Sequence, residues 1–225
     1  MKITFTTYCS KEYSPLGNIV LPNRRAYCER HGYDLVVHDT PLSDRHTGWD
    51  KLAIIKQALA TSEVVVWNGA DVVVMNQDFR VETLLARYPK ASVILTTDLY
   101  GLNSDNIILR SDPWAEQLIY AVWTFGYTLF RNHVWSEQEA FIRFTSAAPY
   151  SNHVVLTEQN VMNSYINSLY GRPSNWPGDY RPGDWLVHLP GLPMEQRIAA
   201  AKKLVAFANT PAASARQPTP TSIAA

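Results

Sequence analysis

Two uninterrupted apolar runs, Val64–Trp67 and Val72–Met75, flank the short polar break Asn68-Gly69-Ala70-Asp71. The first run is β-branched and continuous rather than alternating, so it reads as a strand buried on both faces. The second reads as a short strand or extended segment. The chain must turn between them, and Gly69 offers the backbone freedom to do so. Asp71 is the only charged side chain in the break. Open α/β sheets place ligands at the carboxyl ends of their strands. Asp71 is therefore either a ligand-facing carboxylate or the cap of a turn.

The flanking segments place this strand in an α/β domain. Ile3–Tyr8 alternates apolar and hydroxyl residues as a first strand. Cys9–Leu21 reads as a loop broken by Pro15, Gly17 and Pro22, and a helix runs from about Asn23 to His31 with Gly32 ending it. Tyr33–His38 is a second strand, which makes a βαβ unit and a parallel sheet. Trp49–Ala60 carries Leu52, Ile55 and Leu59 on one helical stripe. Phe79–Tyr88 is helical and Ala91–Thr97 is a strand ending at Asp98. Asn103–Asn106 is a turn leading into Ile107–Leu109. Asp112 caps a helix with Pro113 at its first position. Ser136–Phe144 is a helix with Ser136 and Glu139 spaced as a capping box, and Thr157–Leu169 is another. Gly171–Gly183 is a loop long enough to suspect a role. Trp185–Leu189 is a late strand and Pro193–Ala208 a closing helix. Thr210–Ala225, rich in Pro, Ala, Ser and Thr, reads as a disordered tail. A single folded domain over residues 1–209 is expected.

With 225 residues and 46% apolar side chains, the chain can bury a substantial core. Twenty basic residues balance twenty acidic ones, so no global field favours nucleic acid or an anionic membrane. Any anionic ligand must be held by local charge. Cys9 and Cys28 are too few for a disulfide scaffold; two free thiols in a reducing compartment or a single bridge are both open. No run of 18 apolar residues occurs, and Met1–Tyr8 has no long apolar run, so neither a membrane span nor a signal peptide is expected. A soluble, cytoplasmic protein, or one peripheral to a membrane, is the expectation. The absence of Gly-x-Gly-x-x-Gly after the first strand argues against a dinucleotide binder.

Several motifs coincide in order. Asn23 to Tyr33 resembles the "N-x-x-x-Y-x-x-x-H-G-Y" segment of nucleotide-sugar glycosyltransferases. Trp49-Asp50-Lys51-Leu52 looks like a "W-x-K-L" helix, and Trp67–Asn76 is similar to a "W-L-D-x-D-x-x-x-x-N" block. Gly101 to Trp114 resembles "G-x-N-x-G-x-x-x-x-R-x-x-x-x-W", and Gly183–Gly191 resembles "G-D-x-x-x-H-x-x-G". Together they resemble the α-galactosyl- and α-xylosyltransferase family, glycosyltransferase family 34. The resemblance implies a GT-A (Rossmann-like) fold with a mostly parallel central sheet flanked by helices. It also implies a UDP-linked nucleotide-sugar donor, a glycan or other hydroxyl acceptor, retention of configuration, and Mn²⁺ or Mg²⁺. Three departures stand out. Gly69 replaces the first acid of Asp-x-Asp, no basic residue directly follows Gly191, and Asp105 replaces a glycine.

The resemblance implies roles for particular residues. Asp71 and His188 are the expected metal ligands, with Asp105 or Asp98 as carboxylates that could repair the loss at Gly69. His188 can equally be a buried strand-end histidine. Lys51 and Arg110 are candidates for phosphate charge, or alternatively a solvated helix face and a structural ion pair. Thr6, Tyr8, Asn103 and Gly191 complete the expected donor site, with Tyr8 stacking on a base or lying in the core. Glu158 and Gln159 open a helix on the acceptor side as the catalytic candidates, where an acid also suits the helix dipole. Trp176, Tyr180 and Trp185 are either a carbohydrate platform or plain core. A fold that has kept the pocket without the activity is the competing reading.

Overall fold

The computed structural model describes residues 1–214. In order these form β1 (Ile3–Tyr8), α1 (Ser14–His31), β2 (Asp34–His38), α2 (Thr47–Leu59), β3 (Val64–Asn68) and β4 (Val72–Val74). There follow α3 (Val81–Arg87), β5 (Val93–Asp98), β6 (Gly101–Arg110), α4 (Pro113–Ala121), α5 (Tyr127–Phe130) and α6 (Ser136–Thr145). The last elements are β7 (Val154–Thr157), α7 (Gln159–Met162), β8 (Leu186–His188) and α8 (Met194–Ala208).

A six-stranded sheet in the order β2-β1-β3-β6-β5-β7 forms the centre. The β1–β2, β1–β3 and β5–β7 pairs are parallel, and β6 runs antiparallel between β3 and β5. Every residue of β3 is buried, as its unbroken Val run requires of a central strand. Apolar side chains cover both faces. Phe5, Val64, Val66 and Ile108 pack with Tyr27 of α1 and Leu84 of α3 on one side. Val65, Ile107 and Leu109 pack with Leu52 and Ile55 of α2 and Phe141 of α6 on the other. A third cluster lies around the small antiparallel β4–β8 pair, where Val73 and Val187 meet Leu16 and Val20 of α1 and Ala201 and Leu204 of α8.

Several sequence expectations are corrected. The α1 helix begins nine residues before Asn23, at Ser14, and contains Pro22. Pro15 suits a first turn, and the buried Leu16 and Val20 hold the helix through the proline. Asn23 is no cap: its amide donates to Val74 O at 3.0 Å and accepts from Val74 N at 3.0 Å, extending the edge of β4 like a backbone strand. Asn103–Asn106 is strand, not turn. The reversal lies at Leu99–Tyr100, where Asp98 accepts from Tyr100 N at 2.7 Å. The capping box does not form, because Glu139 pairs instead with Arg143 at 2.6 Å. The expected long helix 157–169 is a strand end, the short α7 and a 3₁₀ turn, Asn167–Tyr170. Parallel pairing with β5 claims Thr157 for the sheet.

Gly32 does end α1, in the left-handed conformation with φ of 70°. Both cysteines are buried free thiols. Among the described residues no helix is long and apolar enough to cross a membrane. At the C-terminus Pro211–Ser214 form a 3₁₀ turn whose Ala213 O accepts from Gly183 N at 2.9 Å; the rest of the expected tail, 215–225, lies outside the described residues.

Candidate active site

The break after β3 is shaped from below. Arg24, fully buried in α1, donates to Gly69 O at 2.8 Å, Val72 O at 2.9 Å and Asn68 O at 3.4 Å. Burial pulls its pKa down to about 10, so it stays charged at neutral pH. One guanidinium thus ties three carbonyls around the turn, of which Gly69 O also accepts from Val72 N at 3.3 Å. Gly69 does not adopt a positive φ, so the expected special backbone freedom is not used there.

The β4–β8 register then brings distant residues together. Val72 pairs with His188, and Leu189 N donates to Asp71 O at 3.1 Å. His188 Nε2 lies 3.4 Å from Asp71 Oδ1 and 3.5 Å from Asp105 Oδ2. On the other side of the ring, Nδ1 is 2.9 Å from Asn163 Oδ1. The Asn163 amide is oriented by its Nδ2, which donates to Thr97 O at 3.2 Å, so its oxygen must accept from Nδ1–H. In its neutral form the imidazole then directs its Nε2 lone pair towards Asp71 and Asp105, the arrangement of a metal-ligating histidine with its outer partner in place. That nitrogen is buried without a hydrogen-bond partner.

Charge is concentrated here. Arg197 of α8 reaches Asp71 Oδ2 at 3.3 Å and donates to the Tyr13 hydroxyl at 2.6 Å. Burial alone would raise the Asp71 pKa, but His188 and Arg197 outweigh it and hold it down to about 2. Burial opposes a charged His188, yet Asp71 and Asp105 outweigh it and raise its pKa. Lys51, almost wholly buried, lies 2.8 Å from Glu137 Oε1 and 3.2 Å from Asp105 Oδ1. Burial opposes its charge as well, and the two carboxylates raise its pKa above the usual lysine value. Tyr8, Ser10, Tyr13, Gly69, Asp71 and Glu137 line the cleft with Lys51 and Asp105, around a cavity of about 170 Å³.

The set fits a divalent cation chemically: two carboxylates and an unpartnered imidazole nitrogen. Octahedral ligands at about 2.1 Å stand about 3 Å apart at neighbouring corners, close to the 3.4 and 3.5 Å around His188. Among the described residues no three such side chains are already drawn to ligand spacing.

The candidates divide into groups. Asp71, Asp105, Lys51 and Tyr8 line the cleft, and the fully buried His188 meets it through Asp71 and Asp105. Asn103 supports it from behind: it accepts from Asp105 N at 3.0 Å and donates to Asp98 Oδ2 at 3.0 Å. Asp98 is further held by the Tyr165 hydroxyl at 3.0 Å. Gly191 makes the turn from β8 towards α8. Thr6 is buried within β1 and does not line the cleft. Arg110 is not brought there. It pairs with Val64 at the opposite end of β3, and its guanidinium donates to Leu85 O and Ala91 O at 2.8 and 3.0 Å. Glu158, exposed, and Gln159 follow β7 beside the end of β5. Gln159 O accepts from Asn163 N at 2.7 Å, and the Asn163 side-chain oxygen also accepts from Asn106 at 3.2 Å. Trp185 is wholly buried among Phe5, Tyr27 and Phe79, so it is core and no carbohydrate platform. Of the three aromatics considered, only Trp176 is exposed.

Sequence reasoning missed Arg197, Glu137, Asn163 and the clamp role of Arg24. Arg197 carried a readable signal: it shares the buried stripe of α8 with Ala200, Ala201, Leu204 and Ala208, and a cation on an apolar stripe needs an anionic partner. It supplies from the helix the positive charge that is missing directly after Gly191.

The model of the galactosyl transferase GMA12/MNN10 family matches residues 1–88. An uncharacterized alpha-1,2-galactosyltransferase of Schizosaccharomyces pombe is 24% identical over 222 residues, covering 81% of this chain and 58% of that protein. A probable alpha-1,6-mannosyltransferase of Saccharomyces cerevisiae is 24% identical over 159 residues, covering 55% and 40%. The chain thus spans about half the length of the curated relatives it matches. Among solved structures, a glycosyltransferase involved in glycosylation of the major capsid of PBCV-1 matches with a TM-score of 0.71 at 16% identity, covering 90% of this chain and 100% of that one. A galactosyltransferase, LgtC, solved with donor and acceptor sugar analogs, matches with a TM-score of 0.60 at 11% identity, covering 91% and 95%. The fold is that of the GT-A glycosyltransferases, and the chain resembles the galactosyl and mannosyl transferases of family 34.

Proposed function

We propose that this protein is a glycosyltransferase that moves a hexose or pentose from a nucleoside-diphosphate donor, UDP-linked in our reading, to a glycan or other hydroxyl acceptor. The observation that carries this reading is the meeting of Asp71, Asp105 and an unpartnered His188 Nε2 with Lys51 and Arg197 beside them. Cleaving a sugar–diphosphate bond builds negative charge on the leaving phosphates. Bound Mn²⁺ or Mg²⁺ would neutralise that charge as a Lewis acid, held by Asp71, Asp105 and His188.

The chain's own groups do the rest. Lys51 and Arg197 present fixed positive charge at the cleft, and their burial spares them the reorganisation that water would require. Asn163 keeps the His188 lone pair aimed inward. Tyr8 offers a ring to the nucleobase at the end of β1. Asp98, Asn103 and Tyr165 form the polar wall on the sugar side, and Glu158 and Gln159 stand beyond it towards the acceptor. Retention of the anomeric configuration belongs to this reading, with Glu158 facing the positive charge that develops at the anomeric carbon.

A thermal-shift titration with UDP and Mn²⁺, followed by hydrolysis assays across UDP- and GDP-sugars, tests the proposal. A rise in Tm with UDP plus metal, and release of sugar from one donor, are expected. A Tm unmoved by every nucleotide sugar, with or without metal, sinks it. Gly69 favours a second reading, a fold that binds nucleotide without transfer; a Tm rise without hydrolysis of any donor selects it.

A further inference from the structure

We infer that Asp105 has taken over the place of the acid absent at Gly69, and serves with Asp71 and His188 as a ligand of the divalent cation. This rests on the metal-assisted donor site proposed above. The turn after β3 keeps a single acid, and nothing in its backbone demands glycine, since Gly69 has no positive φ. What lies beside Gly69 is the Asp105 side chain. A Cβ at position 69 would stand 3.7 Å from both Cβ and Cγ of Asp105, and 3.0 Å from Asp71 Oδ1. The Asp105 side chain therefore lies in van der Waals contact with the point where a side chain at 69 would begin.

A bulge in β6 delivers it. Against β5, Ile108 pairs with Ile94 but Asn103 already pairs with Thr96, so Ser104–Ile107 bow away from that neighbour. Against β3 the ladder continues through Ile107 and Asn106. Such bulges re-aim side chains beside active sites. This one is pinned throughout. Gly69 N donates to Asp105 O at 2.9 Å, Ser104 N to Gln138 Oε1 at 3.1 Å, and Asp105 N to Asn103 Oδ1 at 3.0 Å. Lys51 holds Oδ1 of Asp105 at 3.2 Å, which leaves Oδ2 turned to His188 Nε2. Asp98, the rival carboxylate, has both oxygens engaged, one with Tyr100 N and the other with Tyr165 and Asn103.

Mn²⁺ binding to the full chain, followed by loss of the free-ion paramagnetic resonance signal with and without UDP, tests the assignment. Asp105→Asn should weaken Mn²⁺ binding at least tenfold and far more than Asp98→Asn does, while Asp78→Asn, at an exposed carboxylate paired with Arg30, leaves it unchanged. The exchange Gly69→Asp with Asp105→Gly should bring affinity back to within about threefold of the unsubstituted protein. A second variant reads ligation directly: Asp105→Cys loaded with Co²⁺ should show thiolate-to-metal charge-transfer absorption that the unsubstituted protein lacks. Undiminished Mn²⁺ binding by a folded Asp105→Asn protein, or no charge-transfer band from a Co²⁺-loaded Asp105→Cys protein, overturns the inference. So does an unsubstituted protein that takes up no Mn²⁺. Tight Mn²⁺ binding that depends on Asp105, with no response to any nucleotide sugar, upholds the inference and rejects the donor reading.

Discussion

His188 Nε2 stands 3.4 Å from Asp71 Oδ1 because Val72 and His188 are register partners across the β4–β8 pair. The contact is set by two short strands, not by a loop, and His188 is fully buried. Removing either side chain leaves charge with no partner where water is scarce. Asp71→Asn should therefore cost about 3 kcal/mol in unfolding free energy and abolish the Tm rise given by UDP with Mn²⁺. Urea unfolding and thermal shift read the two effects separately. An Asp71→Asn protein that keeps the full rise would remove the carboxylate from the donor site.

Lys51 is balanced by Glu137 and Asp105. Lys51→Met should destabilise by about 3 kcal/mol, since two carboxylates then face each other around an uncharged stem. Adding Glu137→Gln should recover part of that loss, with a coupling of about 1–3 kcal/mol in a double-mutant cycle. Strict additivity would mean that the pair does not act as a unit.

Arg110 separates fold from function. Its guanidinium satisfies the carbonyls of Leu85 and Ala91 at the far end of the sheet. Arg110→Gln should cost about 1–3 kcal/mol and leave the UDP-induced change in Tm intact. A variant that is equally stable but blind to UDP would return Arg110 to the donor site.

Burial pushes the Cys28 thiol up to about 12, although Arg24 and Arg25 pull it the other way. An unfolded cysteine ionises near 8.5. The folded pKa is the higher one, so the stability tied to this thiol is fully present below about pH 8.5 and is lost as pH climbs towards 12, by up to about 1.4 kcal/mol per pH unit. Between pH 8.5 and 10 the unsubstituted protein should lose about 2 kcal/mol more than Cys28→Ala, measured by urea midpoints. Equal losses would show that the thiol ionises freely in the fold. At pH 8 neither buried thiol should react with a disulfide reagent until the protein is unfolded.

The sequence on its own determined the α/β domain and its central strand. The Val64–Trp67 run can be satisfied only by burial on both faces, and Ile3–Tyr8 and Tyr33–His38 around a helix dictate parallel neighbours. It also marked Asp71 as the lone carboxylate of the break between β3 and β4, while leaving open whether it faces a ligand or caps a turn. Tertiary structure alone decided what meets Asp71. The bulge in β6 that carries Asp105 to Gly69 follows from pairing with two different strands at once, which no local propensity encodes. Arg197 and Glu137 arrive on the faces of helices packed from opposite sides, and Arg110 leaves the site because one strand's length lies between it and the cleft. Local pattern sets which residues are buried; register and packing choose their partners, since those distances are fixed only when the whole sheet closes.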